Sequence, residues 1–225
     1  MKLLVGNRNY SSWSLRPWLV LRHFDIPFED EVLMLSGEGW QDTLAKRSPT
    51  GKVPVLIDGD LAVPETIAII EYLAETFPDK QIWPADREDR ARARAAAAEM
   101  HAGFTALRSN APMNLRASHP GKVDADAVRR DLHRVEQLWG EHLARSGGPF
   151  LFGAFTAADA MFAPLASRLR TYALPVSDTA AAYVEAIYSL PAFQDWLKLA
   201  LQEPWVIDHD EIDFIQGRAA PGTIV

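Results

Sequence analysis

The stretch of sequence that decides the fold is GKVPVLIDGDLAVPET, at residues 51–66. Its first half predicts a strand led in by Val53-Pro54. The Asp58-Gly59 pair then predicts a tight turn, because glycine readily adopts the positive φ that hairpin turns need. A second strand and the start of a helix follow. A proline at the head of a strand donates no ladder hydrogen bond, and a cis bond before it would mark a sharply shaped site.

The residues before this stretch predict a βαβ unit. Apolar runs and alternation indicate a strand at 2–5, a helix at 13–24 and a strand at 28–35. Strands joined by a helical crossover lie parallel, and the connection is right-handed. The hairpin strands, at 53–57 and 61–63, come next and lead into a helix. The order βαβ followed by ββα predicts a thioredoxin-like α/β domain.

Beyond residue 78 the strand signals vanish, and the rest of the chain predicts an all-helical domain. We expect a thioredoxin-like domain at 1–78, a linker at 79–88, a helical domain at 89–204 and a C-terminal tail at 205–225. Residues 208–225 are acidic and then contain Gly and Pro, so this stretch is predicted to lie loosely on the surface. The predicted helices of the second domain are at 87–107, 124–145, 156–169, 178–188 and 191–201.

Thr156 and Asp159 have the spacing of a capping box, in which the two side chains bond to each other's backbone amides. The helix that they begin is apolar and predicted to be buried. We therefore expect a structural role for this pair and no role in catalysis.

Composition excludes several classes of function. The chain has 225 residues and a net charge of −7, which argues against a nucleic-acid partner. It has no cysteine, which excludes disulfides, thiolate zinc sites and cysteine nucleophiles. Its six histidines show no metal-binding spacing, so no metal is expected. No apolar run is long enough to cross a bilayer, no signal peptide is evident, and the expected location is the cytoplasm.

A group of serines precedes the first helix. Because Pro17 is tolerated only near a helix N-terminus, the helix is predicted to begin no earlier than about Trp13, with Ser14 as its cap. Ser11 and Ser12 then place amides and hydroxyls where the helix dipole favours an anion. Lowering a thiol pKa from ~8.5 to ~7 takes about 2 kcal/mol of anion stabilisation. One hydroxyl hydrogen bond and a helix N-terminus supply that much, although a serine here is more often only a cap.

Together, residues 9–17 and 51–66 resemble the glutathione-binding half of a glutathione S-transferase of the serine type. The run Ser11-Ser12-Trp13-Ser14-Leu15-Arg16 is similar to the Ser-Ser-Cys-Ser-Trp-Arg motif of the zeta class. The resemblance implies that Ser11, with Ser12 as the alternate, donates a hydrogen bond to the glutathione sulfur. Trp13 stands where the zeta motif has cysteine, and this departure argues against zeta-type maleylacetoacetate isomerisation.

The resemblance also implies a set of contacts to glutathione as co-substrate. Val53, followed by Pro54, would pair its main chain with the cysteinyl backbone of the tripeptide. Thr66 and its amide would hold the γ-glutamyl carboxylate, Glu65 the ammonium group and Lys52 the glycyl carboxylate. Two structural alternatives stay open: a solvated Lys52, and a helix start in which Thr66 is the cap and Glu65 complements the dipole.

The pocket for the second substrate is expected between the first loop and the first long helix of the second domain. Its candidate residues are Asn9, Trp13, Met100, Phe104, Arg108, Met113 and Asn114. Met100, Phe104 and Arg108 are predicted to share one helical face, a spacing that is more often simply core. A buried cation needs an anion, so Arg108 is predicted to pair with a carboxylate of the substrate or of the protein.

Two hypotheses follow for the function. The first is a glutathione transferase that conjugates or isomerises small electrophiles in a detoxification role. The second is a non-catalytic binding or regulatory protein on the same scaffold, since fold alone does not choose between them. The family forms dimers around the helix predicted at 87–107, where Ala91, Ala95, Ala98 and Ala102 would let another helix approach closely. A homodimer is therefore implied.

Overall fold

The protein is described by a computed structural model that covers residues 1–215. Its sheet has four strands: β1 (Lys2–Val5), β2 (Glu29–Val32), β3 (Val55–Asp58) and β4 (Leu61–Pro64). Their order is β2-β1-β3-β4, with β1 and β2 parallel and β3 antiparallel to both β1 and β4. Helices α1 (Ser12–His23) and α3 (Thr66–Thr76) complete the predicted βαβ and ββα units. The thioredoxin-like prediction is confirmed.

The predicted hairpin has the expected geometry. Gly59 has φ +58° in the turn between β3 and β4, and the peptide bond between Val53 and Pro54 is cis. Side chains alternate across β1, because successive residues of a strand point to opposite faces. Leu3 and Val5 join the large core with α1 and α3, whereas Leu4 joins a smaller cluster on the other face.

One helix of the first domain was not predicted. This helix, α2 (Trp40–Arg47), lies between β2 and β3 and follows Gly39, which has φ +73°. Only Leu44 of this helix is buried, so the segment has too few apolar residues to show helical periodicity. Leu44 packs beside Leu4 and Val55. The helix therefore covers the face of the sheet that α1 and α3 leave open.

The second half of the described chain is helical, as predicted. Its helices are α4 (Arg87–Ala102), α5 (Thr105–Asn110), α6 (Ala125–Ser146), α7 (Ala157–Thr171), α8 (Asp178–Ser189), α9 (Pro191–Gln202) and α10 (Ile212–Ile215), with short 3-10 turns at Pro78–Lys80 and Asp208–Asp210. The predicted domain boundaries at 78, 89 and 204 stay predictions. Among residues 1–215, no helix has the length and apolar character needed to span a membrane.

The predicted capping box is present at the start of α7, almost all of which is buried. Asp159 accepts hydrogen bonds from the Thr156 amide at 2.8 Å and the Thr156 hydroxyl at 3.2 Å. It also accepts from the Leu151 amide and the Tyr183 hydroxyl, both at 3.0 Å. Burial raises the pKa of Asp159 to about 6, and these donors oppose that rise. The pair is structural, because all its contacts lie within the helical core.

The single helix predicted at 87–107 is wrong. Helix α4 ends at Ala102, and Phe104 has φ +57° before α5 begins. The Gly103 amide bonds to the Glu99 carbonyl, and a Cβ at Gly103 would lie 2.8 Å from that oxygen. The break means that Met100, Phe104 and Arg108 do not share one helical face. Met100 and Phe104 are instead buried in the core.

The prediction of a loosely placed tail is also wrong for the part of it that the structure describes. Ile212 is buried. Glu211 accepts hydrogen bonds from the Tyr10 hydroxyl at 2.5 Å and from Asn114 Nδ2 at 3.0 Å. Lys122 Nζ lies 2.6 Å from Asp213 Oδ1. Polar anchors therefore fix this segment against the rest of the molecule, and residues 216–225 lie outside the described residues.

Candidate active site

A cleft of about 640 Å³ opens where the first loop of the thioredoxin-like half faces the helical half. It brings together residues that the sequence analysis had assigned to two different subsites. The predicted residues that line it are Ser11, Ser12, Trp13, Lys52, Val53, Arg108 and Met113. Trp40 also lines the cleft. Further lining residues that were not predicted are Tyr10, Leu35, Leu44, Gly51, Thr105, Ser109, Pro112, Arg168 and Asp210.

The first turn of α1 differs from the prediction. The helix begins at Ser12, and Ser11, not Ser14, is in the N-cap position. Ser14 is buried, and its Oγ accepts hydrogen bonds from the Gly6 amide at 3.0 Å and the Ser11 hydroxyl at 2.8 Å. Within residues 1–215 no side chain caps this helix. Its positive end is therefore left for an anion.

The two serines offer their hydroxyls and not their amides. The Ser11 amide donates to the Asn7 carbonyl at 2.8 Å, and the Ser12 amide donates to the Tyr10 carbonyl at 2.9 Å. Both amides are thus used by the turn that precedes α1. Of the donors predicted at Ser11 and Ser12, only the hydroxyls can turn towards a sulfur in the cleft.

Helix α1 continues through Pro17, which has no amide hydrogen to give to the Trp13 carbonyl. The Thr66 hydroxyl donates to that carbonyl instead, at 3.0 Å. Thr66 is fully buried and is not a lining residue of the cleft. Its hydroxyl therefore joins α3 to α1, and its backbone amide is the group left for the predicted carboxylate contact.

Glu65 is in the N-cap position of α3, so here the cap is Glu65 and not Thr66. Its side chain accepts from the Ile67 amide at 3.3 Å, and its backbone has φ +80°. Such a φ costs a non-glycine residue roughly 1–3 kcal/mol. Glu65 lines a separate groove between α3 and α4 and is not among the residues around the main cleft. Its predicted contact with glutathione stays a prediction.

The second-substrate candidates divide into lining and buried residues. Asn9 and Asn114 are buried and bonded to each other, with Asn9 Nδ2 2.8 Å from Asn114 Oδ1. Asn9 Oδ1 also accepts from the Arg116 amide at 2.9 Å. These two residues support the wall of the cleft without lining it. Met113 is buried but borders the cleft, beside Arg108.

Arginine is the main source of charge in the cleft. Among residues 1–215, neither Arg108 nor Arg168 forms an ion pair with a carboxylate, but the charge of Asp210 acts on Arg168. Burial lowers the pKa of both arginines, that of Arg168 to about 10. A third guanidinium, that of the buried Arg16, lies behind the cleft. Its pKa is lowered by burial and then by the charges of Arg108 and Arg168. The three groups bond to main-chain carbonyls: Arg16 to Met161, Arg108 to His101 and Gly103, and Arg168 to Arg108 and Ala111.

Two further lining residues carry polar groups that the sequence analysis missed. The Tyr10 hydroxyl bonds to Glu211 and accepts from Arg116 Nη2 at 3.0 Å, and burial together with Glu211 raises the pKa of Tyr10 to about 12. Burial also raises the pKa of Asp210. No local motif links residues so far apart in sequence. An arginine within the apolar run of α7, as at Arg168, was the one available signal.

Comparison with known proteins gives the family. Residues 10–76 match the family described as the glutathione S-transferase N-terminal domain, and residues 89–199 match the C-terminal domain. A probable maleylacetoacetate isomerase of Caenorhabditis elegans is 30% identical over 192 residues, which cover 83% of this chain and 87% of that protein. A second, of Vibrio cholerae, is 26% identical over 202 residues, covering 86% and 94%.

Solved structures are similar over nearly the whole chain. A glutathione transferase homolog from Burkholderia, with bound glutathione, is 28% identical with a TM-score of 0.68, covering 90% of this chain and 98% of that one. A bacterial maleyl pyruvate isomerase of the zeta class has the same fold, at 24% identity and a TM-score of 0.68. The chain therefore belongs to the glutathione S-transferase family and is an enzyme of glutathione-dependent transfer or isomerisation.

Proposed function

We propose that this enzyme uses the glutathione thiolate to attack small electrophiles that carry a carboxylate group. The observation that carries the proposal is the position of Arg108 in the cleft that also contains Ser11 and Ser12, without a carboxylate paired with it among the described residues. Arg108 is partly buried, and holding a partly buried cation without a counter-ion is costly. A substrate carboxylate would supply the missing charge and fulfil the predicted pairing of Arg108.

In this proposal the thiolate forms at the start of α1. Ser11, or Ser12 as the alternate, donates its hydroxyl to the sulfur, and the uncapped helix N-terminus adds a favourable field. Ser11 gives up its hydrogen bond to Ser14 when it does so. Ser14 keeps its bond from the Gly6 amide, so the exchange leaves no buried donor without a partner.

Glutathione itself is proposed to lie along the β3 side of the cleft. Val53 and Lys52 line that side, so the main chain of Val53, next to Pro54, can pair with the tripeptide and Lys52 can meet its glycyl carboxylate. The Thr66 amide and Glu65 would receive the γ-glutamyl end at the start of α3. The bound glutathione in the structure of the Burkholderia homolog supports this placement.

The chemistry then depends on what the electrophile carries. The sulfur forms a bond to an electron-poor carbon; if a leaving group departs with its electron pair, a conjugate results. If the carbon was part of a double bond, rotation and loss of the thiolate return free glutathione and an isomer. Trp13 occupies the cysteine position of the zeta motif, which argues against maleylacetoacetate as the substrate. We therefore propose only a class of substrate, the carboxylate-bearing electrophiles.

The proposal is tested by comparing a carboxylate-bearing aryl halide, such as 4-chloro-3-nitrobenzoate, with its methyl ester as substrates of the wild-type enzyme, each kcat/KM being divided by the rate constant of the uncatalysed reaction with glutathione. We expect kcat/KM to favour the acid by about tenfold or more, since a charge-assisted hydrogen bond contributes roughly 1.5–3 kcal/mol. Arg108→Gln should reduce that ratio. Arg145→Gln, which removes an exposed arginine paired with Asp89, is the matched control. Equal turnover of acid and ester would refute the preference, and no turnover of any electrophile would favour the non-catalytic alternative.

The role of the serines has its own test. Replacing Ser11 by Ala should raise the pKa of bound glutathione and cut turnover while glutathione still binds, as followed by ultraviolet titration of the thiolate. If Ser12→Ala has this effect and Ser11→Ala is silent, the donor is Ser12.

We also propose a homodimer formed through the groove between α3 and α4. This groove, of about 560 Å³, is largely apolar and includes Ala98 and Ala102, and both alanines are exposed together with Ala91 and Ala95. A second copy would cover this strip. Sedimentation should give a dimer for the wild type and a monomer for Ala98→Arg.

A cytoplasmic location and a role in detoxification complete the proposal. Cell fractionation tests the location, and survival of a deletion strain exposed to electrophiles tests the role.

A further inference from the structure

The ring of Trp13 lies beneath two arginine side chains. The Cζ atom of Arg16 is 4.0 Å from the ring centroid, and the Cζ atom of Arg108 is 4.8 Å from it. The ring of His101 meets Trp13 edge-on, with centroids 5.1 Å apart. A guanidinium over an indole face is attracted by the negative face of the ring, and tryptophan is the strongest such partner among the aromatic residues.

The other contacts of Arg108 are weak. Its Nη1 atom lies 3.3 Å from the His101 carbonyl and 3.4 Å from the Gly103 carbonyl, which is long for charge-assisted hydrogen bonds. The contact with the Trp13 ring is therefore a main determinant of the position of the Arg108 guanidinium. Arg16 is not free to replace Arg108 at the cleft, because it is buried and its Nε bonds to the Met161 carbonyl at 3.0 Å.

An aromatic ring and a carboxylate hold an arginine with different consequences. A protein carboxylate would fix the Arg108 guanidinium but also neutralise it, so that little attraction would remain for an anionic substrate. A ring fixes the guanidinium and leaves its full charge available. The arrangement around Trp13 is therefore suited to presenting a charge to a ligand.

We propose that Trp13 is a positioning residue that holds Arg108 at the wall of the cleft and thereby sets the selectivity for carboxylate-bearing electrophiles. This inference rests on the proposed function, since it assumes that Arg108 meets a substrate carboxylate. It gives a role to the position at which the chain departs from the zeta motif.

The test measures kcat and KM for the acid and for its methyl ester with the wild type, Trp13→Phe and Trp13→Leu. We expect Trp13→Leu to lower the acid-to-ester ratio of kcat/KM about fivefold, mainly through a higher KM for the acid. Trp13→Phe keeps an aromatic face and should recover part of the ratio. It also keeps the inference testable if the leucine variant does not fold.

A double-mutant cycle shows whether Trp13 acts through Arg108. In the Arg108→Gln background, Trp13→Leu should produce no further fall in the ratio. An unchanged ratio in both Trp13 variants, with both substrates losing activity equally, would show a merely structural residue and overturn the inference. The inference would also be overturned if Trp13→Leu lowered the acid-to-ester ratio as much in the Arg108→Gln background as in the wild type. A wild type without acid preference would instead refute the proposed function, so the two failures are distinguishable.

Discussion

Ser14 is the residue on which the geometry of the sulfur site depends, although it does not line the cleft. Its buried Oγ joins the Gly6 amide at the end of β1 to the Ser11 hydroxyl at the start of α1. A Cβ at Gly6 would lie 3.1 Å from Ser11 Oγ and 2.7 Å from Leu35 Cδ1, so a side chain there would force these neighbours to shift. Packing and hydrogen bonding together fix where Ser11 begins the helix.

Removing the Ser14 hydroxyl tests this arrangement. Ser14→Ala should lower the free energy of unfolding by about 1–3 kcal/mol, because the Gly6 amide loses its buried acceptor. Urea unfolding measures the change. Ser109→Ala, at an exposed serine of the same cleft, is the control and should stay within about 0.5 kcal/mol of the wild type. Equal stability of the two variants would mean that the Gly6 amide finds another acceptor.

Thr66 gives a second prediction at this scale. Thr66→Val keeps the shape but removes the donor to the Trp13 carbonyl, so it should cost about 1–3 kcal/mol. Thr66→Ser keeps the hydroxyl and loses one methyl group, at about 1 kcal/mol. We expect the valine variant to be the less stable of the two in urea unfolding. The opposite order would show that packing of the methyl group outweighs the hydrogen bond to α1.

At the scale of elements, α7 is the central, almost wholly buried helix of the helical half, and Asp159 caps its N-terminus. Four donors from three residues converge on this carboxylate. They connect the start of α7 to the preceding loop at Leu151 and to α8 at Tyr183. The cap thus serves tertiary packing as well as the helix itself.

Asp159→Asn should be strongly destabilising. An amide in place of the carboxylate would point N–H groups at donors, and we expect a loss of about 2–4 kcal/mol in the free energy of unfolding. Asp126→Asn, in the exposed first turn of α6, is the matched control. Chemical denaturation of both variants gives the comparison. A loss no larger than that of the control would contradict the role given to the four donors.

Three elements of the fold could be predicted from the sequence: the hairpin, the parallel βαβ unit and the capping box. Each is specified by residues that lie close together along the chain. Helix α2 was missed because it buries one leucine, and the break at Gly103 was missed because alanine-rich sequence on its N-terminal side favours helix. Arg168 and Asp210 reach the site only through tertiary packing, so no spacing along the chain could place them beside Ser11.

At the scale of the whole molecule, two histidines, the buried His142 and the half-buried His23, couple the fold to pH. Burial lowers the pKa of both His23 and His142. His23 stacks on Phe155 at 4.3 Å between ring centroids, and His142 packs on Phe152 at 4.9 Å. The unfolded chain therefore binds more protons than the folded protein just below the ordinary histidine pKa of ~6.5. The contribution of these two histidines to stability should therefore fall as the pH drops below that value and should be constant above it. Asp159 acts in the opposite direction, because its raised pKa of about 6 makes the folded state bind more protons than the unfolded chain in this range.

Thermal unfolding between about pH 7.5 and pH 5.5 measures this effect. The expected result is a difference between variants: on acidification, the melting temperature of the double variant His23→Gln/His142→Gln should change in a direction more favourable to the folded state than that of the wild type. His133→Gln replaces an exposed histidine and is the control. If the double variant loses as much stability on acidification as the control, other groups cause the pH dependence.

The contacts of the first loop reach very far along the chain. The Arg8 amide donates to Glu203 at 2.8 Å, and the Tyr10 hydroxyl donates to Glu211, 201 residues later. During translation, a nascent polypeptide that has exposed only its first hundred residues can form the sheet but not this wall of the cleft. We therefore expect a complete cleft, and with it turnover of electrophiles, only after residue 211 has left the ribosome and reached Tyr10.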